Sequence, residues 1–305
     1  MRIGLYGGAA TPDKIVEQAQ QAEADGFSSL WYASGVLGDP LVAMALAGRA
    51  TSTIELGTAV LQTYPCHPLL QAQRAASVAA AMGRPGFTLG VGPSHESNVR
   101  GIYGMSYEHP GRNTEEYVRV LTALLRGEDL EFEGEDWTVR TQEGAVATTH
   151  PIPVLLSALS PRLLRVAGEY ADGAVLWMAT AAAIEEHVTP RITAAARAAG
   201  RPAPRIVAGL PLAVHDDVAE ARAEVAAGAA MYADRPNYKR IMEVGRAGSA
   251  GEAAIVGDET AVEAQLRALF DAGATDVYVF VHPVGADRRA SRQRSKDLLR
   301  KLATA

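Results

Sequence analysis

The chain of 305 residues carries one cysteine, Cys66. That excludes an internal disulfide and any metal site built from several thiolates. No histidine pair has metal-ligand spacing with carboxylates nearby, so no metal is expected. Apolar stretches are broken by charge, Gly or Pro before they reach the roughly 18 residues of a membrane span. Lys and Arg (29) are outnumbered by Asp and Glu (35), for a net charge of −6. Such a chain has no positive field to hold nucleic acid. The first residues enter a strand-like segment, Arg2–Tyr6, without a signal-peptide pattern, so the cytoplasm is the expected compartment. A dinucleotide fingerprint is also missing, because Gly7-Gly8-Ala9 after the first strand lacks the required spacing.

What is present is a repeating unit. Arg2–Tyr6 reads as a short buried strand. Thr11-Pro12-Asp13 then opens a helix, with Thr as cap, Pro at the first helical position and an acid in the first turn. Ile15, Val16, Ala19 and Ala22 give that helix an apolar face, and Gly26 stops it. The same join of helix end, glycine and strand recurs at Ala171-Asp172-Gly173 and Asp271-Ala272-Gly273. Eight strand-like runs follow, near residues 2–6, 28–32, 54–60, 86–91, 153–157, 174–178, 205–213 and 276–282. Helical stretches lie between them, among them 68–82, 113–126, 161–171, 181–199 and 258–272. Strands alternating with helices imply a parallel sheet covered by helices. Eight such units, in a chain with 48% apolar residues to fill a core, favour one closed barrel over 1–305. An open doubly wound sheet is the alternative architecture.

Three segments exceed the repeat: 93–112, 128–150 and 228–257. In a β/α barrel the loops that follow strands form the catalytic face. Segments 93–112 and 228–257 are therefore expected to wall a pocket. Segment 128–150 is expected to be an extra hairpin or a surface loop.

Order and spacing of several motifs resemble the luciferase-like superfamily, in its coenzyme F420-dependent branch. The resemblance begins with Leu56-Gly57-Thr58-Ala59-Val60 and Thr63-Tyr64-Pro65-Cys66-His67-Pro68. It continues through Gly90-Val91-Gly92-Pro93-Ser94-His95, Ser157-Ala158-Leu159, and Ala254-Ile255-Val256-Gly257-Asp258, and covers nearly the whole chain. It implies a (β/α)8 TIM barrel of the bacterial luciferase type, with insertions at the C-terminal face, in a homodimer acting on a small-molecule substrate. It also implies a non-proline cis peptide within Thr58, Ala59 and Val60, behind the cofactor ring. A cofactor phosphate is implied at Ser157, Ala158, Leu159 and Ser160, where Ser160-Pro161 starts a helix whose free N–H groups suit an anion. Read alone, the first segment is an ordinary buried strand and the second a good helix cap.

Gly92 would let the chain pass close to a flat ring, and Ser94 and His95 would stand at the ring's edge. His95 is the catalytic candidate, since imidazole gives or takes a proton near neutral pH. Tyr6, Trp31, Trp177 and His282 sit near strand ends and are candidates for the substrate pocket; on residues alone the aromatics fit core packing equally well. The end of strand two, Trp31-Tyr32-Ala33-Ser34-Gly35, lacks the acid and histidine with which relatives oxidise alcohols. The expected reaction is therefore hydride delivery from reduced F420 to an activated C=C or C=N bond. The alternatives are an FMN-dependent monooxygenase of the same fold and a non-catalytic flavin- or deazaflavin-binding protein.

Overall fold

A computed structural model describes residues 1–304 of the chain. Eight parallel strands close on themselves: β1 (Ile3–Gly7), β2 (Ser29–Tyr32), β3 (Glu55–Thr58), β4 (Phe87–Gly92), β5 (Val154–Leu156), β6 (Gly173–Trp177), β7 (Arg205–Val214) and β8 (Asp276–Val281). Each pairs with its successor, and β8 pairs with β1 through Ile3↔Val277, Gly4↔Tyr278 and Leu5↔Val279. The closed sheet is the expected TIM barrel. Outer helices follow the strands: α1 (Pro12–Ala24), α2 (Pro40–Arg49), α3 (Pro68–Met82), α4 (Pro110–Leu125), α5 (Pro161–Tyr170), α6 (Thr189–Ala198), α7 (Glu259–Asp271) and α8 (Arg288–Thr304). No described helix is long and apolar enough to cross a membrane.

Local chemistry sets these boundaries. The Thr11 hydroxyl accepts from Lys14 N at the start of α1, and Ser160 does the same for Leu163 N at the start of α5. Gly26 and Gly273, which end α1 and α7, lie at φ +81° and +111°. At Gly173 an added Cβ would sit 1.9 Å from the Arg205 carbonyl oxygen, so β6 and β7 approach only because the side chain is absent.

The barrel bore is filled in layers. Trp31, Leu155, Val175, Val207 and Tyr278 form its apolar middle. A Cβ at Gly57 would strike the Trp31 ring at 2.4 Å, and one at Gly209 would strike Tyr278 at 2.2 Å; glycine makes room for two large rings in one bore. Beneath them, at the N-terminal end, Arg205 bonds both Glu55 (2.6 Å) and Asp276 (2.7 Å), and Arg2 reaches the same two acids at 2.8 and 2.6 Å. This network plugs the end of the barrel opposite the cleft.

The structure departs from the predicted elements in particular places. The predicted strand at 54–60 divides, because β3 stops at Thr58 and a two-residue strand, Leu61–Gln62, pairs further along β4. Helix α4 starts at Pro110 rather than 113, and the predicted helix at 181–199 contains a π-helical turn, Ile184–Val188. Segment 128–150 holds a hairpin of Glu131–Glu133 with Thr138–Arg140. It is pinned to α4 by Glu116, whose carboxylate accepts from the backbone N–H groups of Glu135, Asp136 and Trp137. Segment 228–257 folds into short helices, Ala230–Ala233, Pro236–Val244 and Ala250–Ala253, before Ile255–Gly257 pairs with the end of β7.

Candidate active site

A cleft of about 230 Å³ opens at the C-terminal face of the barrel, lined from β1 to β6 and by the loop after β7. Its floor is the turn after β3, where the peptide between Ala59 and Val60 is cis. Thr58 holds that turn from below. Its buried hydroxyl donates to the Gly90 carbonyl and accepts from the Gly90 N–H, each at 2.8 Å. Ala59 N donates to the Tyr32 carbonyl at 2.8 Å, tying the floor to β2.

The end of β4 forms one edge. Ser94 takes a left-handed conformation (φ +66°), and the Tyr107 hydroxyl donates to its carbonyl at 3.1 Å. His95 stands at the start of the short helix Glu96–Gly101 but does not cap it with its side chain. The imidazole lines the cleft instead, half-buried. Burial, and then the nearby Arg235 cation, hold its pKa below the ordinary histidine value.

Aromatic rings build the opposite wall. Trp177 stacks on Tyr278 with centroids 5.9 Å apart. Tyr6 lies 6.3 Å from Trp177, and Tyr232 lies 6.0 Å from it. Tyr238 meets Tyr232 edge-on at 5.1 Å and His95 at 5.6 Å, which completes a run of rings around the cleft. Burial raises the pKa of the Tyr6, Tyr232 and Tyr238 hydroxyls, so all three stay protonated. Among the cleft residues, Gln62 Oε1 and Trp177 Nε1 are buried without a hydrogen-bond partner.

Of the residues singled out from sequence, Tyr6, Ala59, Val60, Ser94, His95, Ser157 and Trp177 line this cleft. Thr58, Gly92 and Ala158 are buried behind it. The Leu159 carbonyl accepts from His187 Nε2 at 2.9 Å, and Ser160 spends its hydroxyl on the α5 cap. Two residues expected in the pocket, Trp31 and His282, do not line this cleft. Trp31 is fully buried in the bore, where it donates to Ser29 Oγ at 2.9 Å above the Arg205 guanidinium, 5.7 Å from its ring. Its position on β2 turns it inward, below the cleft. His282 lies outside the cleft, beside Gly228 and Phe280, because β8 has already passed the rim at that point.

Sequence reasoning did not single out Gln62, Asn98, Tyr232, Arg235 or Tyr238, which also line the cleft. Three of them stand in segment 228–257, whose length was the one available signal.

Residues 2–276 match the luciferase-like monooxygenase family. The chain belongs to that family. A curated relative within reach is a 5,10-methylenetetrahydromethanopterin reductase of Methanolobus tindarius, 28% identical over 190 residues, covering 62% of this chain and 57% of that protein. The chain thus spans little more than half the length of that relative. Among solved structures, an F420-dependent secondary alcohol dehydrogenase with an F420–acetone adduct superposes with a TM-score of 0.79 at 18% identity, covering 100% of this chain and 99% of that one. A type II Baeyer–Villiger monooxygenase of Pseudomonas putida in complex with FMN superposes at 0.72 with 17% identity, covering 99% and 97%. At such identities these two share the family fold, which carries more than one reaction. The relatives named here are oxidoreductases and a monooxygenase.

Proposed function

We propose that this protein is an F420-dependent oxidoreductase that reduces an activated C=C or C=N bond of a small organic substrate. The observation that carries this reading is the cleft itself. A flat backbone floor at Ala59–Val60 faces an aromatic wall, His95 stands at the edge, and no carboxylate lines the space. At the end of β2 the cleft residues are Ala33 and Ser34, neither of which can take a proton from an alcohol near neutral pH. The relatedness to a methylenetetrahydromethanopterin reductase agrees with a reductive role.

The residues present fit a deazaflavin. Ala59 and Val60 would lie against its ring, and a Cβ at Gly92 would push into Ser157 (2.8 Å) and Val60 (3.1 Å), closing that space. The unpartnered Gln62 Oε1 is an acceptor for a ring N–H, and Ser157 stands beside it in the cleft. The α5 start behind them would hold phosphate. A bound reduced deazaflavin supplies a hydride; the protein supplies orientation and a dry site. The Trp177, Tyr232 and Tyr238 rings exclude water from the acceptor. His95 holds a proton at its imidazole for the atom that does not receive the hydride.

Titration of the purified protein with F420 and with FMN tests the cofactor, and anaerobic oxidation of F420H2 by an electron-poor alkene or imine tests the reaction. Binding and oxygen-independent turnover with F420H2 are expected. FMN binding with oxygen-dependent turnover would replace this reading by a monooxygenase. Binding of either cofactor without turnover of any acceptor would leave a carrier protein.

A further inference from the structure

The cleft carries one formal charge, and it is positive. Arg235 reaches in from the start of the helix Pro236–Val244, and no Asp or Glu lines the space around it. Its guanidinium donates one hydrogen bond, to Ser97 Oγ. Among the described residues it forms no ion pair. The nearest acids in sequence do not pair with it: Glu96 is engaged by Arg100 at 3.0 Å, and Asp234 is exposed and does not line the cleft. A guanidinium has five N–H groups in a planar fork that matches a carboxylate. Most of that fork is unspent here, in a partly desolvated site beside apolar rings. The chain as a whole is acidic, so the charge is a local feature of the cleft.

We propose that Arg235 is a specificity-determining residue that binds an anionic group, most simply a carboxylate, on the acceptor substrate. The proposal rests on the reductase reading above and adds the substrate class: a conjugated acid with a flat apolar body. Tyr232, Tyr238 and Trp177 take the flat body against their rings. The carboxylate pairs with Arg235, and the conjugated bond then lies between Arg235 and the Ala59–Val60 floor, beside His95.

The arrangement also links charge to protonation. Facing His95 are Arg235 and Tyr238 from segment 228–257; its sequence neighbour Glu96 is held by Arg100. Arg235 is the group that opposes the imidazolium. An anion paired with Arg235 cancels that repulsion and favours protonated His95.

Calorimetric titration with cinnamate and with cinnamamide, its neutral counterpart of nearly the same shape, tests the inference. No cofactor is present, so failure here is separate from failure of the F420 reading. Cinnamate is expected to bind about tenfold tighter or more, as for a charge-assisted pair worth ~1.4 kcal/mol. Arg235→Gln should abolish that preference without moving the melting temperature, since the residue is half-exposed; Arg235→Lys should keep part of it. Repeating the titration near pH 7 in buffers of different ionisation enthalpy should show proton uptake with cinnamate, lost in His95→Gln. Cinnamate binding no better than cinnamamide, or not at all, overturns the proposal. So does an Arg235→Gln variant that keeps the preference while losing affinity for F420, which would assign the cation to the cofactor's own anionic groups.

Discussion

The Thr58 hydroxyl bridges both polar groups of Gly90, donating to its carbonyl and accepting from its N–H, each at 2.8 Å. An added Cβ at Gly90 would lie 1.9 Å from the Thr58 carbonyl oxygen, so the two strands meet here as closely as backbones can. This contact lies directly under the cleft floor at Ala59–Val60. Thr58→Val keeps the shape and removes both bonds. It should cost about 1–3 kcal/mol, read as a lower urea midpoint with an unchanged m-value. Thr58→Ser should restore most of it. Equal stability of the valine variant would show that the bridge has no structural weight.

The plug at the other end of the barrel makes stability depend on acid. Burial alone would raise the Asp276 pKa, but hydrogen bonding and attraction from Arg205 outweigh it, with help from Arg2, and the net value is lowered. A carboxylate with a folded pKa below its unfolded value of about 3.9 stabilises the protein above that pH. The contribution disappears as pH falls through the folded value. Asp276→Asn should therefore flatten the acid limb of a stability–pH curve below about pH 4. Arg205→Met, which leaves Glu55 and buried Asp276 facing each other with Arg2 as their remaining cation, should cost about 3 kcal/mol at neutral pH. An acid limb unchanged in Asp276→Asn would assign that limb to other carboxylates.

His95 sets the expected pH dependence of turnover. Its pKa is depressed by burial and by Arg235, so the free enzyme's ionisation should fall below about 6.5 in a kcat/KM profile. Arg235→Gln should move that limb upward, toward the ordinary value. His95→Gln should remove it and slow reduction by about 10²–10⁴-fold. A limb that persists in His95→Gln belongs to another group.

Gly92 tests the cofactor's place without touching charge. Gly92→Ala puts a methyl within 2.8 Å of the Ser157 Cβ. F420 affinity should drop by about tenfold or more, ~1.4 kcal/mol, while the circular dichroism spectrum stays native. Undiminished F420 binding would place the ring elsewhere.

The eight strands and the barrel were legible because they rest on local rules. Apolar runs of strand length, Thr11-Pro12 and Ser160-Pro161 caps, and the glycine stops at Gly26, Gly173 and Gly273 are all encoded within a few residues of where they act. The motif at Thr58-Ala59-Val60 also pointed to the turn where the cis peptide occurs, and the position of His95 just after β4 put it at the rim. Trp31 and His282 show where that reasoning stops. A residue near a strand end faces the bore, the cleft or the outside according to strand tilt and the exact residue where the strand meets the rim. Single-residue shifts reverse that facing.

Arg235, Tyr232 and Tyr238 make the same point from the other direction. Nothing within segment 228–257 marks them as site residues, since they lie about 140 residues along the chain from His95. They meet it only because closure of the barrel brings the loop after β7 across to the end of β4. Local sequence determined which elements form and where each begins and ends. Which side chains share the cleft, and that its one charge is an unpaired cation, was decided by packing, since only a closed tertiary structure brings such distant loops into contact.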